Sequence, residues 1–184
     1  MHFTSGTSST LSPTVMTAIG RYRHKVFVEH LGWKLNCSEG LEYDQFDRED
    51  TVYIVAQNDD EQIIGTARLL STTRPYLLSE VFPELMSGQA PPQSKHILEL
   101  SRFAAMNFKT HDKKVSGQFS SDAAIDLMRA TLASAAEQGA NKLITVSPLG
   151  IERLLRHVGF NASRAGKVTG CEGKKLFASW ITVE

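Results

Sequence analysis

Apolar side chains at Val15, Ile19, Tyr22 and Val26 recur at helical spacing along the first part of the chain. Ser12-Pro13 ahead of them supplies an N-cap followed by proline at the first helical position, and Gly32 closes the segment. Residues 33–50 show no clean period and read as a loop. "TVYIVAQ" and "QIIGTARLL" then read as strands joined by a turn at "NDDE". Residues 71–95 mix turn formers with a short helix near Leu77–Leu85. "HILELSRFAAM" is a third strand, Ser121-Asp122 caps a helix running to Gly139, and "NKLITVS" is a buried strand. "LGIERLLRHVG" reads as a short amphipathic helix and "KKLFASWITV" as a last strand. Residues 1–11, rich in Ser and Thr, are expected to be flexible. This order predicts an α/β fold in which a mixed sheet carries helices on both faces.

Composition narrows the class without naming a function. The chain has 184 residues, the length of a single domain, with 41% apolar and 22% charged positions, as in ordinary soluble proteins. Twenty basic and twenty acidic residues cancel, which excludes the basic excess of a general nucleic-acid binder. The distribution is uneven. Residues 39–61 hold nine acids and one base, whereas residues 142–175 hold seven bases and two acids. Cys37 and Cys171 lack metal-type spacing, no metal site is expected, and two cysteines suit a reducing compartment. The opening "MHFTSGTSSTLS" is not a signal peptide, and no apolar run approaches the roughly 20 residues that span a membrane. A soluble, cytoplasmic protein without membrane insertion is expected.

Charges in unusual places mark the candidate chemistry. "EGLEYDQFD" crowds Glu42, Asp44 and Asp47 around Tyr43 and Phe46, and acids this close repel unless a cation lies among them. Glu99 and Arg102 sit inside the strand "ILELSRFAA", where apolar residues belong. Two readings stand: each is paired within the fold, or a bulge brings them together as a proton acceptor with an orienting arginine. Arg23, Phe27 and Trp33 extend one side of the first helix toward the acidic loop, and Arg23 and Phe27, four apart, share a helix face. Arg68 is another charge inside a strand, and Phe82 in "EVFPEL" alone would be assigned to the core.

Taken together and in this order, these positions resemble the LuxI-type acyl-homoserine-lactone synthases over about residues 20–160. The family's arginine, phenylalanine four on and tryptophan six further stand as Arg23, Phe27 and Trp33. Its acidic trio is met by Glu42, Asp44 and Asp47, its strand arginine by Arg68, its loop phenylalanine by Phe82, and its Glu–Arg pair by Glu99 and Arg102. "GRYRHKVFVEHLGW" and "TTRPYLL" are similar to members making shorter acyl products.

The resemblance implies a single-domain, three-layer α/β/α fold with a mixed, mostly antiparallel sheet, related to the GNAT acyltransferases. It implies two substrates, S-adenosylmethionine and an acyl thioester on acyl carrier protein or coenzyme A, and no cofactor. The products are a quorum-sensing N-acyl-homoserine lactone, methylthioadenosine and free thiol. Arg23, Phe27, Trp33, Glu42, Asp44, Asp47 and Phe82 are expected to bind S-adenosylmethionine, with its sulfonium and ammonium as the cation the acids await. Glu99, Arg102 and Arg68 are expected to be catalytic, Glu99 as the base. Leu100, Ser101, Phe103 and Met106 are expected to line the acyl and pantetheine pocket from one strand. Ile144, Val146 and Ser147 are expected to do so from another. Arg153, Arg156 and His157 share a face of the short helix suited to an acidic carrier protein. Ser147 stands where members using 3-oxo chains often carry threonine, Pro148 departs from the usual sequence, and the chain stops at Glu184 where many relatives continue. Competing readings are a coenzyme-A-dependent GNAT acetyltransferase and an idle carrier-binding relative. The first lacks its glycine-rich pyrophosphate loop, since "AMNFKTHDKK" follows "ELSRFA".

Overall fold

The computed structural model describes residues 1–108, 122–171 and 174–183. They gather into two compact units, Met1–Arg68 with Arg102–Thr131, and Leu69–Ser101 with Leu132–Glu184. The expected cap at Ser121 and part of "AMNFKTHDKK" lie outside the described residues. No helix among the described residues is long and apolar enough to cross a membrane.

In the first unit, helix α1 (Pro13–Arg23) starts as expected: the Ser12 hydroxyl accepts the Val15 N–H at 3.3 Å, and Pro13 takes the first turn. The chain then widens into a π-helical segment, His24–His30, where a plain helix to Gly32 was expected. The Leu31 N–H reaches back to the Val26 carbonyl and the Trp33 N–H to that of Phe27. The wider turns leave the Phe27 and Trp33 rings stacked at 4.8 Å. Tyr22, Val26, Phe27, Ala104 and Met106 form one core cluster, and Leu11, Ile19, Tyr53 and Val55 another.

Strands β1 (His2–Gly6), β2 (Val52–Gln57), β3 (Ile63–Ser71) and β4 (Ile97–Ala105) follow in that order across the sheet there. Strand β1 corrects the expectation of a flexible start. It pairs antiparallel with β2 from His2↔Gln57 to Gly6↔Tyr53, although its side chains are exposed. An edge strand is held by main-chain bonds and needs no apolar face, so its Ser and Thr content gave no signal. The β2–β3 turn is tied by Asn58, whose side-chain oxygen accepts the N–H groups of Asp60 and Gln62.

In the second unit the strand order is β3-β4-β5-β8-β6, with β5 at Lys142–Pro148, β6 at Ala162–Arg164 and β8 at Lys174–Thr182. The short β7 (Thr169–Cys171) pairs with β8. Strands β4 and β5 run parallel from Ile97↔Lys142 to Leu100↔Thr145, whereas β8 is antiparallel to β5, β6 and β7. Helices α2 (Leu77–Val81) and α4 (Ile151–His157) match the expected short helices, and α3 (Asp122–Glu137) matches the longer one. Strands β6 and β7, three residues each, are too short to show a period and went unread.

One close approach in this unit admits only glycine. A Cβ on Gly166 would lie 1.9 Å from the Leu85 carbonyl oxygen, and the neighbouring Lys167 N–H donates to the Ser87 hydroxyl at 2.7 Å. Gly166→Ala is therefore expected to destabilise the protein by about 2 kcal/mol, with a lowered Tm. An unchanged Tm in calorimetry would show that this contact is not tight.

Candidate active site

The three acids of the loop find their cations within the chain. The Arg23 Nε meets Glu42 at 2.6 Å and its Nη1 meets Asp47 at 2.7 Å. The Arg68 Nη1 meets Asp44 at 2.6 Å and Asp47 at 3.0 Å. The Arg102 Nη2 meets Glu42 and Asp44, each at 2.9 Å. The six groups thus close a ring of alternating charge: Arg23, Glu42, Arg102, Asp44, Arg68, Asp47 and back to Arg23. Every acid thus has two arginine partners within the chain, and these guanidinium groups offset the mutual repulsion of the three carboxylates.

Local structure explains how the loop reaches that position. Gly20 of α1 presents its carbonyl to the Glu42 N–H at 3.0 Å, and a Cβ there would meet the Tyr43 ring at 2.6 Å. The Tyr43 hydroxyl donates to the Met16 carbonyl. Asp47 accepts the Asp44 N–H at 2.7 Å, and Asp44 accepts the Phe46 N–H at 2.9 Å, so the acids also fold their own turn. Arg102 holds φ +50° inside β4, a left-handed conformation that kinks the strand where its guanidinium meets the loop. That guanidinium also lies 5.6 Å from the Phe27 ring and 5.7 Å from the Trp33 ring.

Arg23, Glu42 and Arg68 are at most 1% exposed, and Asp44, at 16%, is the most open member of the ring. Burial by itself would raise the Glu42 carboxyl; the hydrogen bond from Arg102 and the charges of Arg23 and Arg102 outweigh it and hold that carboxyl low. Burial likewise opposes ionisation of Asp47, and Arg68 and Arg23 together reverse it, well below the usual carboxylate range. Tyr53 donates to Asp47 at 3.0 Å, and burial followed by that anion pushes its phenol up. Burial and then Glu42 push the Cys37 thiol up, which disfavours a thiolate nucleophile.

Beside the ring is a cavity of about 340 Å³ lined by Glu42, Tyr43, Asp44, Gln45, Arg102 and the segment Lys34, Leu35 and Asn36. Sequence reasoning assigned Glu42, Asp44 and Arg102 to the site and named Tyr43 beside them, but missed Lys34, Leu35, Asn36 and Gln45. Tyr53, a polar tip on an otherwise apolar strand, was a signal that a buried partner awaited it.

The remaining expected residues belong to the second unit or to the core. Glu99 is fully buried and accepts the N–H groups of Leu77 and Leu78. Phe82 is half-buried and ends α2. Leu100, Ser101, Ile144 and Ser147 are buried, and Val146 is half-buried. Phe103 and Met106 are buried in the first unit, with Met106 in the core cluster of Tyr22 and Phe27. Arg153, Arg156 and His157 line an open hollow of about 520 Å³ with Gly150 and Leu154. Glu152 beneath them is occupied by Arg164 at 2.7 Å and Arg156 at 3.3 Å.

A profile of the family described as Autoinducer synthase matches residues 8–184. The acyl-homoserine-lactone synthase of Acinetobacter nosocomialis is 48% identical over 183 residues, covering 100% of both chains. The crystal structure of TofI in a ternary complex with an inhibitor and MTA is 38% identical, with a TM-score of 0.85, covering 100% of this chain and 92% of that one. The structure of BjaI, a CoA-dependent acyl-homoserine lactone synthase, with SAM and isopentyl-CoA is 27% identical, with a TM-score of 0.83, covering 98% and 82%. The GNAT-like α/β fold with a mixed, mostly antiparallel sheet agrees with the expectation.

The ring makes stability depend on acid. Carboxyls held low in the folded state stabilise it fully above their unfolded pKa of about 4, and that contribution is lost as pH falls through the folded values. Unfolding free energy should therefore drop below about pH 4. Asp47→Asn should lower stability at neutral pH and flatten that drop. An acid transition identical in the variant would show that the ring is not its source.

Proposed function

Because this chain belongs to the autoinducer synthase family and is an acyltransferase of the acyl-homoserine-lactone synthase type, we propose that it N-acylates S-adenosylmethionine and then lactonises it. The observation that carries this reading is the cavity edged by Glu42, Asp44 and Arg102. Two relatives, solved with SAM or MTA, support a sulfonium substrate. Since the ring is neutral, it attracts that substrate by no excess charge. It offers oriented carboxylate lone pairs, chiefly at Asp44, and the aromatic face of Tyr43; Phe27 and Trp33, stacked on each other beside the Arg102 guanidinium, are assigned to the same substrate. Arg23, Arg68 and Asp47 act by holding those groups in place. Phe82 is assigned to the same substrate.

Two bonds form and two break. The deprotonated amine attacks the thioester carbonyl, and the thiol leaves with the proton balance closed by a base. The substrate's own carboxylate then attacks its γ-carbon, and methylthioadenosine leaves from the sulfonium. That second step asks the protein to fold the substrate back on itself, an orientation effect. Leu100, Ser101, Phe103, Met106, Ile144, Val146 and Ser147 remain the assignment for the acyl chain.

For the donor, the hollow on α4 favours acyl carrier protein. Arg153, Arg156 and His157 present basic groups around an apolar floor at Leu154, with the side chain of Leu149 exposed beside the helix. An acidic carrier would bind such a surface and would do so less well in salt.

Incubation with S-adenosylmethionine and a panel of acyl thioesters tests the reaction. One methylthioadenosine should appear per thiol, together with an acyl-homoserine lactone; thiol without methylthioadenosine would overturn the reading. Reversing charge at Arg153 and Arg156 should raise KM for a carrier-borne donor by roughly tenfold and spare the matching coenzyme A donor. Equal effects on the two donors would remove α4 as the docking surface.

A further inference from the structure

Glu99 was expected to be the base, and its surroundings suggest another task. It is 0% exposed. Its Oε2 accepts the Leu77 N–H at 2.9 Å and its Oε1 accepts the Leu78 N–H at 2.7 Å. Those are the first two amides of α2, groups that no carbonyl within a helix can satisfy. Tyr76, the residue at the cap position, directs its hydroxyl away, to the Pro92 carbonyl at 2.6 Å. The Ser79 hydroxyl accepts the Tyr76 N–H at 3.1 Å from within the turn, and the carboxylate from β4 caps the next two amides, those of Leu77 and Leu78, across the fold.

The helix itself is weak. Five residues form too few internal bonds to hold a helix in water, so its placement rests on external contacts. One turn connects the carboxylate to the aromatic at the far end. Leu78 gives its N–H to Glu99 and its carbonyl to the Phe82 N–H, at 3.2 Å. Both Glu99 oxygens are thus engaged in fixing backbone.

We propose that Glu99 is a positioning residue that pins the first turn of α2, and thereby Phe82, rather than the group that takes the proton from the substrate amine. The consequence for substrate affinity rests on the reading that Phe82 contacts S-adenosylmethionine; the pinning of α2 does not.

Removing the anchor from either side separates the two roles. Glu99→Gln leaves one acceptor and loses the other. Leu77→Pro deletes one donor and leaves the carboxylate intact. Proline is tolerated at the first helical position, and Tyr76 at φ −139°, ψ 168° already has the extended conformation required before it. Leu77→Ala controls for the lost side chain. Glu99→Gln and Leu77→Pro should each raise KM for S-adenosylmethionine about tenfold, with a smaller fall in kcat, and the pair together should be no worse than either alone. Exchange of the Leu78 amide hydrogen in Glu99→Gln should quicken by a factor of about ten to a hundred. The ratio of variant to wild-type kcat should stay constant from neutral to alkaline pH, as it would not if a base had been lost.

Wild-type kinetics in Leu77→Pro beside a kcat loss at unchanged KM in Glu99→Gln would overturn the proposal. Should Leu77→Pro fail to fold, unchanged Leu78 exchange in Glu99→Gln overturns it alone. A wild-type enzyme that releases no methylthioadenosine would instead refute the proposed reaction, while the exchange measurement would still decide the anchor.

Discussion

A closed ring of three guanidinium groups and three carboxylates is the constraint on which the candidate site depends. Its members come from α1, from the loop after the π-helical segment, from β3 and from β4, so four stretches of chain must meet for it to close. Buried ions lose several kcal/mol each in hydration, and only mutual pairing with good geometry offsets that loss. The ring meets that condition. Each arginine reaches two acids, each acid two arginines, and Asp47 gains a phenolic donor from Tyr53. A six-membered ring specifies a single arrangement, since any slip leaves at least one charge buried and unpaired.

That arrangement does for the loop what a hydrogen-bond ladder does for a strand. Residues 33–51 contain no helix, and what holds them is Gly20, the turn built by Asp44 and Asp47, and the ring. The cavity wall is consequently tied down by side-chain bonds where it has no regular structure. Its electrostatic character also changes: a cluster that looks strongly negative in the sequence is neutral once folded. Under the proposed function, recognition of a sulfonium would rely on an aromatic face and fixed lone pairs rather than on bulk attraction. Glu99 repeats the principle on a smaller scale, where a charge within a strand orders backbone that cannot order itself.

The sequence revealed the parts better than their pairing. Ser12-Pro13, the apolar spacing behind it and the Asn58 turn are local signals, and each was read correctly because the physics involved spans only a few residues. The charged residues stood out for the same reason, being misplaced against the strand pattern. Which cation meets which acid depends on residues 23, 68 and 102 converging, and nothing in a single chain's spacing encodes that. That three arginines and not one or two close on the acids is visible only in the folded chain. Strand β1 escaped notice because an edge strand needs only main-chain bonds, and the π-helical widening because one extra residue per turn hardly alters an apolar period. The use of Glu99 was hidden because its partners are backbone amides, which every residue but proline has.

The most direct test of the ring is a double-mutant cycle across Arg68 and Asp44, whose guanidinium and carboxylate meet at 2.6 and 3.1 Å. Unfolding free energy would be measured for Arg68→Met, Asp44→Leu and the pair, with S-adenosylmethionine affinity read on the same samples. Each single change should cost about 3 to 5 kcal/mol and abolish detectable affinity, with a coupling of about 2 kcal/mol between them. Single losses below about 1 kcal/mol that simply add, the behaviour of exposed ion pairs, would contradict the account.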